Sequence, residues 1–171
     1  MSAAVSPAEV WPVLETVLDP EVPALSVVDL GIVRRVEVEG DRVVVTVTPT
    51  YSGCPATQVI ERDIVNALHS AGWDAEVRTT FNPAWTSEWI SAEGRRKLKA
   101  YGIAPPGRVV ADEEPLVPLL RRGREQVAEA VQCPYCDSRE TIRRSEFGST
   151  ACKAIHYCNA CRQPFEEFKA I

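Results

Sequence analysis

The sequence predicts a small α/β fold, a two-layer sandwich of a small mixed sheet with helices, followed by a short C-terminal ribbon stapled by metal. Three observations carry this. Apolar residues recur first at helical and then at strand periods over residues 1–103. A proline-rich stretch interrupts the pattern after that. Two C-x2-C pairs, 21 residues apart, close the chain. At 171 residues, 45% apolar and 25% charged, the chain is neither disordered nor collagen-like, and it has room for one medium domain or two small ones.

The elements follow in order. Val10, Val13, Leu14 and Val17 form a helical stripe, with Ser6 and Glu9 as a capping box. Pro12 removes a helix hydrogen bond and moves the expected start toward itself. Ile32, Val36 and Val38 then alternate with Val33, Arg35, Glu37 and Glu39. After the Gly40-Asp41 turn, Val43, Val45 and Val47 alternate again, which predicts a β-hairpin. A helix is expected after Pro55, carrying Ile60, Ile64, Ala67, Leu68 and Ala71 on one side and ending at Gly72. Val77, Thr79 and Phe81 predict a third strand. Trp85 and Trp89 stand at helical spacing, and a basic helix over Arg95–Lys99 stops at Gly102. This predicts a first domain over 1–103, a linker over 104–130 and a ribbon over 131–171.

Charge divides at the same place. Residues 1–103 hold 9 basic and 14 acidic residues, and the remainder holds 10 of each. An acidic pI near 5.2 argues against non-specific nucleic-acid binding as the main role, which needs surplus cations against phosphate. Arg121-Arg122-Gly123-Arg124 is the one local feature favouring it, and it reads as solvated linker. No stretch suits a membrane span and the N-terminus lacks a signal-peptide pattern, so a cytoplasmic protein is expected. Thiols stay reduced there, and six cysteines read as ligands or reactive groups before disulfides.

Cys133, Cys136, Cys158 and Cys161 carry the strongest signal. Each C-x2-C turn aims two thiolates at one ion, and two turns close a tetrahedron with Zn–S near about 2.3 Å. Zinc is favoured over iron, one per chain, in a site with no position left to activate water. Glu140–Phe147 and Thr150–Tyr157, hinged at Gly148-Ser149, predict the ribbon hairpin. So small a domain draws much of its folding free energy from the metal. Cys152 shares a strand face with Ala154, His156 and Cys158, but six residues put it roughly 20 Å from Cys158 and outside the same ion's reach. It is either a packed small residue or a second reactive thiol.

Cys54 stands alone before Pro55, which predicts it at a helix N-cap. Unpaired amides and the helix dipole favour negative charge there, so this thiol is a candidate nucleophile or soft-metal ligand, against a plain turn residue. His69 and His156 are the only histidines, and no histidine cluster can serve as base. No phosphate loop or dinucleotide fingerprint is present. Asp19-Pro20-Glu21 and Asp29-Leu30-Gly31 read on composition as a turn and a solvated loop, with a cluster beside Cys54 as the other possibility.

Asp19-Pro20-Glu21, Asp29-Leu30-Gly31, Thr48-Pro49 and Cys54-Pro55, in that order, resemble the domain shared by SufT-like proteins and the eukaryotic cytosolic iron–sulfur targeting factor, over roughly residues 8–81. The stretches at 83–90, 102–106 and 145–154 narrow this to the PaaD family, accessory proteins of the bacterial phenylacetyl-CoA epoxidase system. The resemblance implies a non-catalytic role in aerobic phenylacetate breakdown, helping to assemble or repair an iron–sulfur cluster or other metal centre. Its implied partners are the oxygenase and the iron–sulfur reductase, with a homo-oligomer as a further possibility. It makes Cys54 the working thiol, Asp19, Glu21, Asp29 and Thr48 its motif neighbours, and Cys152 a second functional thiol. A transient cluster or iron is the implied cargo. A stoichiometric subunit of the monooxygenase is the alternative, and a zinc-ribbon nucleic-acid adaptor a weaker one. Asp137 and Arg162 stand after the knuckles where many ribbons have glycine, which sets a question for the second turn.

Overall fold

The computed structural model describes residues 5–51, 53–108 and 130–171. Most of the expected linker, including Arg121-Arg122-Gly123-Arg124, lies outside the described residues. The chain divides into two compact units, Met1–Tyr101 with Ile171, and Gly102–Ala170.

The first unit opens with α1 (Pro7–Leu14), whose N-terminus is closed by the Ser6–Glu9 capping box. Pro12 lies inside this helix and does not delay its start. The capping box and the complete burial of Val10 and Leu14 outweigh the missing hydrogen bond. A long loop leads to β1 (Val33–Glu39), which turns at Gly40 (φ 66°) into antiparallel β2 (Arg42–Val47). Val33 pairs with Val47 and Arg35 with Thr46, so Arg34 is a bulge. The bulge corrects the expected phase: Val33 joins Val36 and Val38 on the apolar face instead of Arg35 on the polar one.

α2 (Thr57–Ser70) buries Ile60, Ile64 and Leu68 at the spacing of one helix face. Its chain reverses at Gly72 (φ 88°) into β3 (Asp74–Thr79), which runs parallel to β2. The sheet order is β1-β2-β3, with the valine-rich β2 in the centre. Phe81 lies outside the third strand and is exposed. A 3-10 turn (Ser87–Trp89) then precedes α3 (Ala92–Tyr101). Trp85 is buried in the core, with Nε1 donating to Leu30 O at 3.0 Å, and Trp89 is half-buried beneath the Arg34 guanidinium. The order of helix, hairpin, helix, strand and helix is the α/β fold the periodicity predicts.

The second unit is a four-stranded sheet in the order β4-β7-β6-β5. β5 (Thr141–Ser145) and β6 (Lys153–Cys158) are the expected hairpin. β7 (Pro164–Phe168) and the short β4 (Ile103–Ala104) extend it. Ala154, His156, Cys158, Phe165 and Glu167 share the buried face. His156 pairs with Glu167 at 2.8 Å and stacks on Phe165, so both polar groups are satisfied inside.

Candidate functional site

The two knuckles are built alike. The Asp137 N–H donates to Cys133 O at 3.0 Å, and the Arg162 N–H donates to Cys158 O at 2.9 Å. The cysteine amides in turn donate to Ser138 O and Gln163 O. This turn needs a left-handed residue four positions after its first cysteine, and Asp137 and Arg162 both take φ 61°. Arg162 therefore adopts the glycine-like conformation despite its side chain.

The four sulfurs of Cys133, Cys136, Cys158 and Cys161 lie within 4.8 Å of one another. Cys133 Sγ is 3.7 Å from Cys161 Sγ, and Cys136 Sγ is 3.6 Å from Cys158 Sγ. A zinc tetrahedron with sulfurs at about 2.3 Å has edges of about 3.8 Å, so the donor set fits the ion. Backbone donors from Cys161 push the Cys158 thiol down to about 7, while burial pushes Cys161 up to about 12. Four thiols this close ionise together only around a cation. Four protein donors leave no open position, the arrangement of a structural metal site.

Cys152 is not in this group. It is buried just before β6, with Sγ 3.0 Å from Thr150 Oγ1 and its carbonyl accepting from the Lys169 N–H.

Cys54 belongs to a different edge. Val33 at the start of β1, Val47 at the end of β2 and Thr79 at the end of β3 lie in one row across the sheet. The Asp29-Leu30-Gly31 loop enters β1 at this row, and the chain leaves β2 there toward Cys54. Ligand sites in open α/β sheets lie outside the carboxyl ends of parallel strands, which here are β2 and β3. Cys54 is half-buried, but it is not the N-cap. Its N–H donates to Tyr51 O and its carbonyl accepts from Thr57, so Pro55 and Ala56 form a turn and Ala56 caps α2.

The acidic motif residues are tied into turns. Asp19 Oδ1 accepts from the amides of Glu21 at 2.9 Å and Val22 at 2.7 Å. Asp29 Oδ2 accepts from Ser26 N at 3.1 Å, Ser26 Oγ at 3.0 Å and Lys97 Nζ at 2.7 Å. Burial pushes the Asp29 carboxyl up, but Lys97 and Ser26 outweigh it and hold it below the ordinary carboxylate range. Among the described residues, Asp19, Glu21 and Asp29 do not join Cys54 in any group of three or more ligands around one point. Thr48 is completely buried, and among the described residues its hydroxyl has no hydrogen-bond partner. Lys97 and Ser91 are partners that sequence reasoning missed. Nothing in their spacing from Asp29, more than sixty positions away, signals the contact.

Comparison with known proteins agrees with both units. Residues 7–79 match a family model described as iron-sulfur cluster assembly protein, and residues 121–169 match the PaaD zinc beta ribbon domain. The chain is 40% identical over 164 residues to an Escherichia coli protein assigned to the 1,2-phenylacetyl-CoA epoxidase as one of its subunits, covering 95% of this chain and 92% of that one. It is 36% identical over 88 residues to an Fe-S protein maturation auxiliary factor of Porphyromonas gingivalis, covering 50% of this chain and 83% of the relative. A crystal structure of a DUF59 domain from Bacillus anthracis superposes with a TM-score of 0.51 at 30% identity, covering 54% of this chain and 90% of that domain. With 40% identity across nearly all of its length and a C-terminal part that matches the PaaD ribbon, the chain belongs to the PaaD family.

Proposed function

We propose that this chain is a non-catalytic accessory factor of a phenylacetyl-CoA epoxidase system, and that it assists assembly or repair of an iron–sulfur cluster there. One observation carries the reading: the segment matched by the assembly-protein family bears a half-buried thiol at a sheet edge, separate from the zinc-type thiols. Iron, alone or as a cluster, is the cargo. Cys54 holds it through an iron–thiolate bond, with Thr48 near the same edge as a spare hydroxyl donor. The bond to Cys54 breaks as a client thiolate bonds to the same iron, so no net oxidation occurs. A second thiol comes from another copy of the chain. Zinc on Cys133, Cys136, Cys158 and Cys161 shapes a ribbon for docking on the oxygenase or reductase component. A three-part organisation of assembly domain, linker and ribbon, in the cytoplasm, belongs to the same reading. No helix among the described residues is long and apolar enough to cross a membrane.

A cysteine enzyme would need a base beside Cys54. His69 sits at the far end of α2, roughly 20 Å along the helix, and leans toward Asp74 at 3.8 Å. His156 is buried against Glu167. Neither supports that chemistry.

The test is metal and acid-labile sulfide analysis of anaerobically purified protein, wild type beside Cys54→Ala. The expected result is one zinc per chain in both and iron in the wild type alone. Absence of iron and sulfide from both overturns the carrier reading. The alternative, a stoichiometric component of the monooxygenase, is favoured by the designation of the E. coli relative as part of the epoxidase itself. It predicts that the chain stays bound to the oxygenase through turnover.

A further inference from the structure

One stretch of chain, Trp85–Lys97, engages every residue of the Asp29-Leu30-Gly31 loop, and it lies beyond the matched assembly segment 7–79. Trp85 Nε1 donates to Leu30 O at 3.0 Å. The Trp89 backbone lies directly on Gly31. Ser91 donates from N to Asp29 O at 2.9 Å and from Oγ to Asp29 Oδ1 at 3.3 Å. Lys97 Nζ reaches Asp29 Oδ2 at 2.7 Å. Gly94 gives α3 its clearance, since a Cβ there would fall 2.9 Å from Asp29 O and 3.2 Å from Asp29 Cβ.

Both Asp29 oxygens are therefore engaged, and its charge is already balanced by an ammonium. The Asp29 side chain is 10% exposed and that of Lys97 is 38% exposed, so the carboxylate sits inside while the cation reaches out to water. A metal at Asp29 Oδ2 would compete with the Lys97 ammonium, and breaking the pair leaves a largely buried carboxylate without its cation. The loop also connects mechanically to the Cys54 edge. It leads into Ile32, whose carbonyl accepts from the Thr48 N–H at 2.8 Å, and Thr48 begins the segment that ends at Cys54.

We propose that Lys97 is a positioning residue for the cargo site: acting through Asp29, it holds the loop that supports the Cys54 edge, and Asp29 is not an iron ligand. This rests on the cargo reading above and adds to it a residue outside the matched assembly segment.

The experiment measures iron per chain after anaerobic reconstitution with ferrous iron and sulfide. It compares wild type, Cys54→Ala, Asp29→Asn, Lys97→Met, Lys97→Arg and the Asp29→Asn/Lys97→Met double variant. Each single loss at 29 or 97 is expected to weaken iron binding about tenfold, the scale of one charge-assisted hydrogen bond. The double variant should fall no further, and Lys97→Arg should retain wild-type binding. If Asp29→Asn abolishes binding while Lys97→Met leaves it unchanged, Asp29 is a ligand and the proposal fails. Additive losses also overturn it. If wild type binds no more iron than Cys54→Ala, the cargo reading itself has failed. The brace is then judged by the alkylation rate of Cys54 in folded, zinc-loaded protein. That rate should shift together in Asp29→Asn and Lys97→Met and recover in Lys97→Arg, and unchanged rates overturn the brace. Should Lys97→Met not fold, Lys97→Gln, which removes the charge and keeps a polar head, is read by the same criteria.

Discussion

Gly31 and Trp89 meet backbone to backbone: a Cβ on Gly31 would fall 2.5 Å from the Trp89 carbonyl oxygen. Gly31 also takes φ 67°, so its lack of a side chain answers two demands at once. Gly31→Ala is expected to lose about 1–2 kcal/mol from backbone conformation, with the Trp89 clash added. Gly40→Ala is the control, with φ 66° and open space around it, and should lose only the conformational part. Urea unfolding of the two variants measures the difference, and equal losses would mean that the Trp89 contact is not held in solution.

The Asp29 carboxyl gives a pH signature with a defined sign. Its folded pKa is lowered, so the unfolded chain binds more protons in acid. Its contribution is fully present above the ordinary Asp value, about 3.9, and is lost as pH falls through the lower folded value. The gap in unfolding free energy between wild type and Asp29→Asn should therefore narrow below about pH 4. A constant gap would contradict the Lys97 pairing.

Thr48 offers a trade between stability and loading. Its buried hydroxyl has no partner among the described residues, and an unsatisfied hydroxyl costs about 1–3 kcal/mol. Thr48→Val should raise stability by about 1 kcal/mol and lower iron loading at the Cys54 edge. Thermal unfolding beside iron analysis checks both. A destabilised variant would mean that the hydroxyl has a partner in solution.

Metal binding in the ribbon is folding free energy. Cys158→Ser, or a strong chelator, should remove zinc and abolish the dispersed amide signals of residues 131–169. Retention of those signals without zinc would show that Phe165, Phe168 and the buried His156–Glu167 pair hold the sheet unaided.

The local elements and the grouping of the four ribbon cysteines were legible in the residues themselves. Period and turn chemistry are short-range: Val43, Val45 and Val47 alternate because a strand does, and two C-x2-C turns need only four residues each. Phase was less secure. The Arg34 bulge moves Val33 to the other face, and a bulge is set by how two strands twist together. It took the folded chain to reveal that Asp29 serves Ser26, Ser91 and Lys97, and that Trp85 is buried with its Nε1 on the Leu30 carbonyl. The same holds for β7 and β4, which complete the ribbon sheet. A carboxylate's partners are chosen by proximity after the chain has folded. Lys97 stands 68 positions from Asp29, a separation that no local pattern encodes.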